Sequence, residues 1–87
     1  MHTFLVEHYR PGLDEEGLRR TAASVRTAAL ALESEGRSVH YIRSTIVAGD
    51  ESFLSVFEAS SESVVREAYG RAGATFERIS RAIQIDP

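Results

Sequence analysis

Four segments of the chain alternate apolar and polar residues, and two segments with helical periodicity separate them in a set order. The alternation predicts strands at 3–10, 39–47, 52–59 and 78–85. Pro11 and Gly12 end the first strand, and a loop with a Gly-Asp turn joins the second strand to the third. The resulting order, β-α-β-β-α-β, restricts the fold more than any other feature of the sequence.

The two helical segments have recognisable ends and one apolar side each. We expect the first helix to begin after the N-cap residue Asp14 and to stop at Gly36. The second is expected to begin after Ser60-Ser61 and to stop at Gly73. The apolar residues recur at helical spacings and are Leu18, Ala22, Val25, Ala29 and Leu32 in the first helix, and Val64, Val65, Ala68, Tyr69 and Ala72 in the second.

Right-handed crossover connections convert this order of elements into a split βαβ arrangement. The sequence therefore predicts a single α+β domain over residues 1–87 with a ferredoxin-like βαββαβ fold. We expect a four-stranded antiparallel sheet in the order 4-1-3-2, with both helices on one face and the other face bare in a monomer.

Size and composition narrow the functional classes. A chain of 87 residues buries only about 60% of its unfolded surface, and without cysteine it has no disulfides to compensate, so we expect a homodimer. The net charge of −3 and the scattered arginines do not form a basic surface for nucleic acid. The apolar run near the start is too short for a signal peptide or a membrane span, which favours a cytoplasmic location.

Period-two alternation divides the strand residues between the two faces of the sheet. The set predicted to face the helices is Phe4, Val6, Ile42, Ile46, Leu54, Val56, Ile79 and Ile83. The set predicted for the open face is Leu5, Glu7, Tyr9, Tyr41, Arg43, Thr45, Phe53, Ser55 and Phe57. Such an aromatic open face favours a homodimer interface, and a ligand pocket between two sheets is the alternative.

Within the open face, Glu7 and Arg43 lie on strands two spacings apart, or about 10 Å. The small Ser55 between them would allow the two charged side chains to meet above it. With Tyr41, these residues form the predicted ligand-binding set. Because no nucleophile elbow, phosphate loop or His-Glu-x-x-His helix is present, a binding or accessory module is favoured. The alternative is a small cofactor-independent enzyme, with Glu7 as base, Arg43 as anion clamp and Tyr41 as proton donor.

Several short motifs resemble those of a small bacterial family of unknown function, typified by a nickel-binding streptomycete protein. The similar segments are residues 4–12, 41–45, 65–68, 71–73 and 85–87. The resemblance implies a ferredoxin-like dimer and, for some members, binding of nickel or another divalent metal. In the metal-binding type, histidines would stand where this chain has Arg43 and Ala68, and only Glu7 of that polar set is retained.

Another metal site would have to use the histidines of the chain, since imidazole suits nickel, copper and zinc. The candidate ligands are His8, His40 and Glu58. His40 and Glu58 are predicted neighbours on adjacent strands. His8 lies at the opposite end of the predicted sheet, and no three histidines are expected to converge within one monomer.

Overall fold

The computed structural model describes residues 1–87 and contains four strands and two helices in the predicted order. The sheet order is β2-β3-β1-β4, and every neighbouring pair is antiparallel, which confirms the ferredoxin-like α+β fold. The elements are β1 (His2–Tyr9), α1 (Glu15–Ser34), β2 (Val39–Val47), β3 (Ser52–Ala59), α2 (Glu62–Ala72) and β4 (Arg78–Ala82).

Local capping interactions set the ends of the helices. The Asp14 side chain accepts a hydrogen bond of 2.8 Å from the backbone N–H of Gly17 at the start of α1. At the other end, Gly36 adopts a φ of 88°, and α2 likewise ends at Gly73 with a φ of 65°. Both helices therefore stop where the sequence predicts. Neither has the length and apolar character needed to cross a membrane.

The core lies between the helices and one face of the sheet. Val6 and Phe57 of the central strands are fully buried against Leu32 of α1 and Val65 of α2. The helix-facing placement of Phe4, Val6 and Ile79 is confirmed. The twelve-residue core cluster is Phe4, Val6, Val25, Ala29, Leu32, Val39, Phe57, Ala59, Val64, Val65, Ala68 and Tyr69.

The predicted faces of β3 were wrong. Phe57 pairs with Phe4 across the sheet, so Phe53 and Phe57 lie beneath the helices while Leu54 and Val56 lie on the open face. Large apolar residues occur at both odd and even positions of this strand, and alternation alone cannot choose between them. Packing against the helices selects the orientation of β3 in which the two phenylalanines face the helices.

A β-bulge changes the faces of β2. Tyr41 pairs with Phe57 and Arg43 pairs with Val56, so Ile42 is an additional residue without a partner. Tyr41 therefore packs against the core, and Ile42 is 39% exposed, the reverse of the predicted faces. Beyond the bulge, Arg43 and Thr45 lie on the open face as predicted, because they pair with residues of that face.

The last strand is shorter than predicted. Its pairing with β1 ends at Thr3 and Ala82, because β1 itself begins only one residue earlier, at His2. Ile83 and Ile85, predicted to belong to the strand, are 84% and 90% exposed. The placement of Ile83 in the core was therefore wrong.

Helix α1 offers a matched pair of leucines for testing the core. Leu32 is completely buried, whereas Leu30 is 48% exposed. We expect Leu32→Ala to lower the free energy of unfolding by about 2–5 kcal/mol, and Leu30→Ala to lower it by less than about 1 kcal/mol. Urea denaturation followed by circular dichroism measures both. Equal losses for the two variants would contradict the burial described for α1.

Candidate functional site

The open face of the sheet has an apolar centre and charged margins. Leu5, Leu54 and Val56 adjoin one another on the two central strands and are only partly buried by their neighbours. No residue of either helix covers this face, since both helices pack on the other one. The margins carry Glu7 and Glu58 together with Arg43 and Arg78.

The ion pair predicted between Glu7 and Arg43 is not formed. A Glu7 carboxylate oxygen instead accepts a hydrogen bond of 2.7 Å from Arg78 on the adjacent strand β4. Across β3, Glu7 is aligned with Leu54, whereas Arg43 is aligned with Val56. Two branched side chains thus occupy the intervening strand, and Arg43 makes no ion pair within the chain.

The predicted metal ligands do not converge. His40 and Glu58 are cross-strand partners as expected, and the His40 imidazole also lies 2.7 Å from a carboxylate oxygen of Glu33. His8 is buried near the other end of the sheet, on its helix-covered side. No group of three or more His, Asp or Glu side chains able to hold a metal ion forms within the chain.

The positions implied by the family resemblance are also far from forming one site. Arg43 is exposed on the open face, whereas Ala68 is completely buried in the core on the helix-covered side. Glu7 lies on the open face with Arg43, and the sheet separates both from Ala68. A permanently charged guanidinium cannot ligate a cation, so these residues do not fit a nickel ion within one chain.

A buried polar network occupies the helix-covered side instead. The His8 ring is 2% exposed and stacks on Phe53 with ring centroids 3.8 Å apart. Its Nε2 lies 2.7 Å from the Tyr69 hydroxyl, and its Nδ1 has no hydrogen-bond partner. Burial lowers the pKa of His8 to about 4. The imidazole is therefore neutral at physiological pH.

Hydroxyl groups extend this network to the edge of the sheet. The Tyr41 hydroxyl donates a 2.6 Å hydrogen bond to Ser44, whose oxygen lies 2.7 Å from that of Ser55. Burial raises the pKa of the Tyr69 hydroxyl, and the neighbouring Ser55 hydroxyl opposes the rise. Polar side chains thus run from the edge strand β2 to His8 on β1.

The structure therefore splits the predicted ligand-binding set between the two faces. Glu7 and Arg43 lie on the open face, whereas Tyr41 and Ser55 belong to the buried network. The placement of Tyr41 and Ser55 on the open face was wrong, because the bulge and the pairing of β3 turn them towards the helices. In β1, His8 is two and four positions from Val6 and Phe4 and therefore points to the same buried face. A tyrosine on the apolar side of a helix needs a polar partner for its hydroxyl. The sequence therefore contained a signal for the His8–Tyr69 pair.

Comparisons with known proteins support the fold. No family model matches the chain, and no curated protein matches it significantly. Among solved structures, the chain is similar to the crystal structure of SCO4226 from Streptomyces coelicolor A3(2), with a TM-score of 0.73 and 20% sequence identity. The alignment covers 97% of this chain and 99% of that chain. At this identity, the similarity establishes the shared fold.

The buried His8 predicts a specific dependence of stability on pH. Its pKa rises from about 4 in the folded protein to 6.5 on unfolding, so the unfolded chain binds the proton first as the pH falls. Stability should be retained above pH 6.5 and decrease towards pH 4, by up to about 3 kcal/mol from this residue. Denaturant unfolding over that pH range should show a smaller loss of unfolding free energy for His8→Gln than for the unmodified protein.

The matched control is His2→Gln, which removes an exposed imidazole from the same strand. This variant should follow the pH dependence of the unmodified protein. If His8→Gln and His2→Gln gave the same dependence, the neutral buried imidazole would not account for the acid sensitivity.

Proposed function

We propose that the protein is a small dimeric binding module and that two copies associate through the open face of the sheet. The observation that carries the proposal is the apolar patch of Leu5, Leu54 and Val56, which no helix of the chain covers. The molecule measures 35 × 34 × 18 Å, and a four-stranded sheet that forms one of its two layers presents a broad side. A second sheet stacked on it would complete a layered core.

The area of the open sheet face suggests that the C-terminal segment also takes part in the proposed dimer interface. Four strands at about 4.8 Å spacing, with an average length of about eight residues at about 3.3 Å each, give roughly 500 Å² in projection. A standard complex buries about 800 Å² on each partner. The exposed Ile83 and Ile85 next to β4 supply further apolar surface for such a contact.

The charges of the open face are suited to self-association. A two-fold symmetric interface brings together the same surface from both copies, so an acidic group on one copy needs a basic group on the same face of the other. This face carries two acids, Glu7 and Glu58, and two bases, Arg43 and Arg78. Arg43 has no ion-pair partner in its own chain and is free to contact an acid of the second copy.

A charge placed at the centre of the patch tests the interface. We expect the unmodified protein to have twice the chain mass of 9.6 kDa by light scattering, and Val56→Asp to be a folded monomer. The control is Leu30→Asp, which introduces the same charge on the exposed side of α1 and should remain dimeric. Circular dichroism verifies folding. A monomeric unmodified protein at micromolar concentrations, or a dimeric Val56→Asp variant, would refute the proposal.

Binding is favoured over catalysis in this proposal. The enzyme alternative needs Glu7, Tyr41 and Arg43 in one pocket, and Tyr41 faces the opposite side of the sheet. The partners proposed here are a second copy and a small ligand, rather than nucleic acid or a membrane, in a cytoplasmic setting. The acidic net charge and the interspersed charges argue against a nucleic-acid partner.

The resemblance to the nickel-type family leads to a separate prediction. Selective binding of a metal to the folded form would raise the melting temperature. Because the residues of one chain provide no three-ligand group, we expect about 50 µM nickel chloride to shift the melting temperature by less than about 1 °C. Differential scanning fluorimetry measures this, with zinc and copper in parallel. A rise of several degrees that EDTA reverses would instead establish a metal site.

A further inference from the structure

A cavity lies between α1 and β2 at the edge of the sheet, on its helix-covered side. Its volume is about 250 Å³. At roughly 30 Å³ for each water molecule, it accommodates about eight waters or one small organic molecule. The cavity is lined by Arg19, Ala22, Ala23, Arg26, Tyr41, Ser44 and Ile46.

The charged wall of the cavity is entirely cationic. Arg19 and Arg26 are separated by two helical turns and lie on the same side of α1, and no acidic residue lines the cavity. Arg19 binds Glu15 on the exposed surface at 3.0 Å. Arg26 makes no ion pair with any acid of the chain and retains its full hydrogen-bonding capacity.

The opposite wall contains two hydroxyl groups that the β-bulge places on the same face. In a regular strand, Tyr41 and Ser44 would lie on opposite faces, because they are three positions apart. The bulge at Ile42 places both on the helix-covered face. Their hydroxyl oxygens are 2.6 Å apart, and the Ser44 hydroxyl also forms a hydrogen bond with the buried Ser55. Ala22, Ala23 and Ile46 form the apolar part of the lining.

We propose that this cavity binds a small organic carboxylate with an apolar body. The Arg26 guanidinium offers paired N–H donors that match the two oxygens of a carboxylate. The alanines and Ile46 contact the apolar body. A phosphate ion has no apolar part to contact these residues, so the lining favours a carboxylate with an apolar body. The site is on the side of the sheet away from the proposed dimer interface, and it therefore goes beyond the proposed function.

Benzoate is a suitable probe, because it combines a carboxylate with a compact apolar ring. In a titration of the ¹⁵N-labelled protein followed by NMR, we expect saturable shifts of the amides of Ala22, Ala23, Arg26 and Ser44. Arg26→Gln should weaken binding by roughly tenfold or more, because it removes a charge-assisted hydrogen bond. Tyr41→Phe should change binding by less than roughly threefold, because the proton of the Tyr41 hydroxyl is already donated to Ser44.

The matched control is Arg20→Gln, since Arg20 is an exposed arginine of the same helix that pairs with Glu16 and does not line the cavity. It should bind benzoate like the unmodified protein. Equal weakening by Arg20→Gln and Arg26→Gln would overturn the proposal, as would shifts confined to residues outside the cavity.

Two further probes test the chemistry of the ligand. Benzamide has the shape of benzoate without its charge and should bind at least roughly tenfold more weakly, whereas equal affinity would overturn the ion pair with Arg26. Inorganic phosphate should not compete with benzoate, and effective competition would overturn the assignment of an apolar carboxylate.

The Val56→Asp variant should bind benzoate normally, so failure of the dimer and failure of the cavity are distinguishable.

Discussion

Two helices cover only one face of the four-stranded sheet, and this asymmetry decides which residues of the two central strands are buried. The central strands β1 and β3 align Phe4 with Phe57 beneath the helices. Because side chains alternate along a strand, His8 and Ser55 follow them into the same buried layer. An isolated polar group there is costly, and Tyr69 of α2 provides His8 with its partner.

The additional residue in β2 connects this buried layer with the edge of the sheet. A bulge is easily accommodated in an edge strand, which has a neighbour on only one side. It turns Tyr41 towards the core, where its ring makes an edge-on contact with Phe57, and it brings its hydroxyl to Ser44. A single inserted position thereby creates both the outer end of the polar network and one wall of the cavity.

The helices are held together by packing, with ion pairs at the C-terminal end of α1. Arg71 of α2 donates to Glu35 at 2.5 and 2.8 Å, and this interaction lowers the pKa of the exposed Glu35 carboxyl. Arg37 and Glu67 form a second pair across the same junction. Since exposed ion pairs contribute little to stability, the buried residues of both helices carry most of the association. Residues 19–26 of α1 lie N-terminal to these pairs and form the arginine-bearing wall of the cavity.

The sequence by itself determined the order of the elements, the ends of the helices, the sheet topology and the inward face of β1, because periodicity and capping are local properties. It also indicated an open sheet face, although it assigned the wrong residues of β3 to it. Only the tertiary structure decided that Phe53 and Phe57 turn inwards, that Ile42 forms a bulge, and that Glu7 pairs with Arg78. The reason is that β3 has large apolar residues on both faces, so local patterning leaves its orientation undetermined. The choice between its two faces depends on packing against helices that are distant in sequence.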